Sequence, residues 1–172
     1  LDLHEYEIEI PRERFKEMWD GVEEGLLSFP DLPYLANYRE ARAAGRFHLA
    51  ESPDGGDFES RRFRWEEVGD FPIYAIPDAS YERADGVVEV LDWKTGREPT
   101  SRSPSEATLQ LVLYARMLQS RHPRRPGIHH FEVAEIYLPR GARYGRRLAE
   151  ADIQRAEQNV SDSAATMRDL LD

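Results

Sequence analysis

Three residues in the middle of the chain could do chemistry together. Asp78 closes an apolar, strand-like run at Ile76-Pro77-Asp78. Asp92 and Lys94 stand two apart at the end of a second run, Val87 to Trp93. Residues i and i+2 of a strand share a face, so Asp92 and Lys94 project together. Asp85-Gly86 lies between the runs and signals a hairpin turn, which folds Asp78 back towards Asp92. Two carboxylates and one ammonium would then meet at one end of a sheet. Two neighbouring carboxylates repel unless a cation lies between them, and hard oxygen ligands suit Mg²⁺ or Mn²⁺. A lysine beside them can hold a nucleophilic water or neutralise charge that develops on a phosphate. Each residue alone also has an ordinary role: Asp78 as a turn former, Asp92 as a strand-end cap, Lys94 as a surface ion-pair partner. Asp92 follows a mostly apolar run and should be half-buried, a position where an unpaired carboxylate is costly.

The elements that must carry these residues follow from periodicity. Glu5 to Ile10 alternate polar and apolar, as a short strand does. Pro11 opens a helix whose Phe15, Met18, Trp19, Val22 and Leu26 fall at helical spacing. Two prolines interrupt Ser28 to Pro33, a loop, and a second helix runs from Tyr34 to Ala44, ended by Gly45. Asp57 to Val68 reads as a strand, and Phe71 to Tyr81 as the strand that delivers Asp78, so that Phe58 to Trp93 forms three antiparallel strands. A polar loop follows Gly96. A helix then begins near Pro104 or Ser105, with Leu109, Val112, Leu113 and Leu118 as its buried stripe. Phe131 to Leu138 alternates as a fourth core strand, Arg140 to Arg147 reads as a basic loop, and Leu148 to Leu171 as a long helix with Ile153, Ala156, Val160 and Met167 on one side. This order predicts an α/β sandwich with a mixed sheet.

Composition narrows the function classes. A chain of 172 residues with 40% hydrophobic residues is expected to fold as one domain: a helical part to residue 45, a core over 46–138 and a C-terminal helix over 139–172. It begins with Leu, as expected of a domain cut from a longer protein. No apolar run is long enough for a membrane span, and a cytoplasmic location fits. With no cysteine, disulfides, thiol catalysis and cysteine-ligated zinc or iron–sulfur sites are excluded. The net charge of -10 argues against a simple nucleic-acid-binding module. A local basic patch nevertheless exists in Arg121, Arg124, Arg125, Arg140, Arg143, Arg146 and Arg147, opposed within those limits only by Glu132 and Glu135. A solvated surface of scattered charge is the plain alternative for it.

Taken in order, Pro77-Asp78 and Asp92-Trp93-Lys94 resemble the signature of the PD-(D/E)xK nucleases. Asp92-Trp93-Lys94-Thr95-Gly96, followed by Gln110-Leu111-Val112-Leu113-Tyr114, resembles the D-x-K-T-G and Q-x-x-x-Y elements of the RecB-like branch, which includes the Cas4-type nucleases. The resemblance implies a restriction-endonuclease-like core, a mixed sheet flanked by helices. It implies Asp78 and Asp92 as metal ligands, the Trp93 backbone carbonyl as a further ligand, Lys94 as the group that assists water, and Gln110 and Tyr114 facing the nucleic acid. Gly45-Arg46-Phe47-His48, with Glu51 after it, resembles the family's upstream G…H…E element and makes His48 the expected upstream ligand. Glu40 competes for that role, with Glu17 and Glu24 further away.

The expected function is divalent-metal-dependent hydrolysis of DNA, single-stranded or at a duplex end, of exonuclease type, with Arg140 and Arg143 holding the strand. Relatives of the resembled branch act in repair, recombination, phage or CRISPR contexts and are often fused to helicases. The competing expectation is an inactive nuclease-fold module that binds DNA or scaffolds a helicase–nuclease assembly. A third reading, an aspartyl-phosphate motif at Asp92, fails because Trp93 interrupts the motif and no doubly wound βαβ series surrounds it.

Overall fold

The computed structural model describes residues 11–46, 63–68, 71–75, 77–96, 98–101, 103, 107–122, 124–138 and 140–170. The expected strand over 5–10 and His48 lie outside these residues. Two helices lead, α1 (Arg12–Ser28) and α2 (Pro33–Ala43), joined by a 3-10 turn over Phe29–Asp31. Pro33 takes the first position of α2, where its missing N–H costs no hydrogen bond. Among the described residues six strands follow: β1 (Phe63–Val68), β2 (Phe71–Ala75), β3 (Ala79–Glu82), β4 (Val88–Lys94), β5 (Phe131–Tyr137) and β6 (Ala142–Arg147). Helix α3 (Leu109–Arg121) connects β4 to β5, and α4 (Glu150–Asp169) comes last.

The expectation of three antiparallel strands over 58–93 is corrected. β1 and β2 pair in a two-stranded sheet of their own, and β3 starts afresh at Ala79 in a four-stranded sheet of order β3-β4-β5-β6. Pro77 supplies the reason for the break, since proline has no N–H to give a ladder and fixes its own φ. The main sheet is mixed: β3-β4 and β5-β6 are antiparallel, β4-β5 parallel. With four α-helices flanking it among the described residues, the chain has the α/β architecture that the sequence leads one to expect.

The site hairpin forms by local chemistry. Asp85 Oδ1 accepts from the Val87 amide at 3.2 Å and its Oδ2 accepts from Arg83 at 2.7 Å. Gly86 sits at φ +80°, a region that L side chains rarely adopt. β4 is central and covered on both faces, which is why its sequence is a near-continuous apolar run. Val88 and Val90 face one core with Phe131 and Val133 under α3 and α4. Leu91 faces the other, with Tyr81, Ala134 and Ile136, against Leu32 and Ala41 of the α2 region.

Four further expectations change. α3 begins at Leu109, not near Pro104 or Ser105, and Leu109 is exposed while Leu111, Tyr114, Ala115 and Met117 are buried beside Val112 and Leu118. The basic loop over 140–147 is largely strand β6, whose arginines make it a charged edge strand. In α4, Ile153 and Ala156 are buried but Met167 is exposed. The apolar residues of α1 do share a stripe, yet Phe15, Met18, Trp19 and Leu26 stand exposed. No helix among the described residues is long and apolar enough to cross a membrane.

Candidate active site

The β3-β4 register pairs Ala79 with Leu91, so the next positions outward, Asp78 and Asp92, come together at the end of the hairpin. Asp78 is exposed, and its Oδ2 accepts from the Trp93 backbone N–H at 2.7 Å. Asp92 is buried, at 5% exposure. Its Oδ2 forms an ion pair with the Lys94 ammonium, one strand period along. The Trp93 side chain points to the opposite face and packs edge-on against Phe29 at 5.2 Å.

The parallel β4-β5 register adds a residue that the spacing did not single out. Asp92 pairs with Glu135, which is buried to 4% on the same face. Glu135 accepts from the Thr108 hydroxyl at 3.3 Å and from the Tyr137 hydroxyl at 3.1 Å. Thr108 occupies the N-cap position of α3 but makes no side-chain cap, its hydroxyl being turned to Glu135 instead. One signal pointed there: Glu135 interrupts an alternation, Phe131-Val133, whose side chains belong to the core.

These charges perturb one another. Burial pushes the Asp92 carboxyl pKa up; the charges of Asp78 and Glu135 add to this, and Lys94 opposes it. Burial favours the neutral form of Lys94, but the hydrogen bond and charge of Asp92, with the charge of Glu135, outweigh it and hold the lysine pKa up. On α3, Gln110 Nε2 donates to the Tyr114 hydroxyl at 2.5 Å. Burial raises the Tyr114 phenol, and the fields of Asp92, Asp78 and Lys94 reach it, so this pair borders the acidic site.

A cleft of about 1160 Å³ opens beside the end of β4. Its lining includes Thr95, one residue past Lys94, with Glu17 and Glu24 of α1, Tyr137, Arg140 and Tyr144, while Asp78, Asp92 and Lys94 lie beside it rather than in it. The two tyrosine rings meet edge-to-face at 5.4 Å. Glu40 is not brought here: its carboxylate is exposed and pairs with Arg46 at 3.0 Å. Nor is Arg143, whose guanidinium is committed to Glu132 at 2.8 Å and lies 3.9 Å from Glu89. Arg140 alone of the two expected strand contacts lines the cleft.

Asp78 and Asp92 offer oxygen ligands on one face, the chemistry that Mg²⁺ or Mn²⁺ prefers, and burial, with the charges of Asp78 and Glu135, raises the Asp92 carboxyl, a cost that a bound cation would offset. The donor set therefore fits a hard divalent cation. Among the described residues no group of three His, Asp or Glu side chains is close enough to hold one unaided. Two acids and a lysine at one end of a mixed sheet are groups that metal-assisted phosphodiester hydrolysis could use.

The model of the PD-(D/E)XK nuclease superfamily matches residues 4–171, and the chain belongs to that superfamily. Its members are generally nucleases, so nuclease activity on DNA is what this membership suggests. They typically use divalent metal ions such as Mg²⁺. No curated protein and no solved structure gives a significant match.

Proposed function

We propose that the chain is a divalent-metal-dependent DNA nuclease of the RecB-like, Cas4-like branch, without that branch's iron–sulfur cysteines. One observation carries the reading: Asp78, Asp92 and Lys94 share one face at the end of β4, bordered by the Gln110–Tyr114 pair. The order Asp92-Trp93-Lys94-Thr95-Gly96, then Gln110 and Tyr114, supports the branch, and with it an exonuclease-type activity in repair, recombination or phage and CRISPR-related processing. The chain would act as a single cytoplasmic nuclease domain, with a helicase as the expected partner.

In this reading Asp78 and Asp92 hold Mg²⁺ or Mn²⁺, joined by the Trp93 carbonyl and by an upstream acid or His48. Glu17 and Glu24, the more distant candidates for that last role, line the cleft beside the end of β4, as Glu13 and Glu98 do. When bound, the ion lowers the pKa of a water and stabilises charge on the phosphate. The Trp93 N–H fixes one Asp78 oxygen, leaving the carboxylate oriented. Lys94, kept charged by its acidic neighbours, orients the attacking water and neutralises charge on the scissile phosphate. Gln110 and Tyr114 position the strand, and Arg140 meets a phosphate along the cleft.

The test is cleavage of linear single- and double-stranded DNA with Mg²⁺, with Mn²⁺ and with EDTA, comparing wild type with Lys94→Ala. Cleavage should need metal and fall about 100-fold or more in the variant. Folded protein that shifts DNA on a gel but cuts with neither metal would replace this reading with the inactive DNA-binding module.

A further inference from the structure

Asp78, Asp92 and Glu135 bring three carboxylates to one sheet face, against the single ammonium of Lys94. Lys94 is paired with Asp92, the same carboxylate that the proposed function assigns to a divalent cation. Lys94 holds Asp92 Oδ2, and a cation on either oxygen of that carboxylate would stand close enough to the ammonium to repel it. Either Lys94 leaves the site when the metal arrives, or a second acid receives it. Glu135 is placed to be that acid. It is Asp92's neighbour in the β4-β5 ladder, its charge already acts on Lys94, and its two oxygens are held by the hydroxyls of Thr108 and Tyr137.

We infer that Glu135 is the positioning residue for Lys94, taking over its ammonium when a divalent cation claims the Asp92 carboxylate. This inference rests on the proposed metal role of Asp78 and Asp92. It gives the buried Glu135 a use that neither the motif nor the spacing assigns. A side chain handed from Asp92 to Glu135 stays beside the scissile phosphate, whereas one released to solvent does not. The Thr108 bond also ties this carboxylate to the start of α3, so the helix that carries Gln110 and Tyr114 is registered against the lysine.

The experiment is a double-mutant cycle read in Mn²⁺ affinity by titration calorimetry, with no turnover involved. Wild type, Glu135→Gln, Lys94→Ala and the double variant are compared, with Asp92→Asn as the control for the site. Glu135→Gln should weaken Mn²⁺ binding about tenfold, because Lys94 then has no second partner and competes for Asp92. In the Lys94→Ala background the same change should have almost no effect, since the competitor is gone. An equal weakening in both backgrounds would overturn the inference and make Glu135 a direct metal ligand. Unchanged Mn²⁺ affinity with a lowered melting temperature would overturn it in favour of a purely structural carboxylate. If Glu135→Gln does not fold, Glu135→Asp keeps the charge at a shorter reach and should show a smaller weakening that Lys94→Ala again removes. Wild type that binds no Mn²⁺, or binds it equally well as Asp92→Asn, defeats the metal reading itself, and the inference falls with it. A coupling confined to the Glu135–Lys94 pair leaves both standing.

Discussion

At the scale of single residues, the site of Asp92 disfavours its charged form. Its folded pKa is raised by burial first and by Asp78 and Glu135 next, with Lys94 compensating only in part. For an acid raised above its unfolded value of about 4, folding is unpenalised where both states are protonated. Stability then declines as pH rises through the folded pKa, and the whole penalty is present above it. In EDTA, Asp92→Asn should therefore raise the melting temperature at pH 8, the gain shrinking to nothing as pH approaches about 4, while cleavage in Mg²⁺ falls about 100-fold or more. Thermal melts across that range check it, and a lower melting temperature at pH 8 would refute it. Asp78, Asp92 and Lys94 were legible in the sequence because a local turn, Asp85-Gly86, sets their register. Glu135 was not legible as a partner, because a parallel pairing across α3 fixes its place and no local signal specifies that register.

At the scale of elements, periodicity found α1, α2, β4, β5 and α4, and missed where tertiary context overrides it. The break between β2 and β3 was visible in Pro77 but was read through. The strand β6 was hidden because Arg143, Tyr144, Arg146 and Arg147 carry no apolar alternation; it forms by pairing with β5 on one edge. The start of α4 shows what holds such an edge. Asp152 Oδ2 accepts from the Ala149 N–H at 2.8 Å, and Arg146 of β6 donates to the same carboxylate at 2.8 Å. The Arg146 hydrogen bond first, then the Ala149 amide and Arg155, hold the Asp152 carboxyl below the usual range, against a smaller effect of burial. The sign is opposite to that of Asp92: this stability is present above about pH 4 and is lost as pH falls through the lowered folded pKa. Asp152→Ala should cost about 1–2 kcal/mol at pH 7 in urea titrations and progressively less below pH 4. A cost independent of pH would show that the cap's charge is irrelevant.

At the scale of the whole molecule, a net charge of -10 must coexist with a polyanionic substrate. The late arginine cluster looked like the compensating patch because the sequence shows only its near neighbours. The fold turns acids onto it, near and distant: Arg124 pairs with the distant Glu82, Arg143 with Glu132, and Arg146 with Asp152. Three of the seven arginines are thus committed to carboxylates of the protein. Arg140, exposed on the cleft rim, makes no side-chain ion pair among the described residues. Binding of single-stranded DNA without divalent metal should therefore be weak and shallow in its salt dependence, with a log–log slope no steeper than about −2, since each phosphate contact contributes about −0.7. Arg140→Ala should flatten that slope by about 0.7, the value of one contact. Arg143→Ala should leave the slope unchanged and instead lower the melting temperature, because it strips a partner from Glu132 and from the buried Glu89. Fluorescence anisotropy of labelled oligonucleotide across a KCl series reads the slopes directly. A wild-type slope near −5 would mean that DNA breaks the internal ion pairs open and recruits the whole cluster, and Arg143→Ala would then flatten the slope as much as Arg140→Ala does.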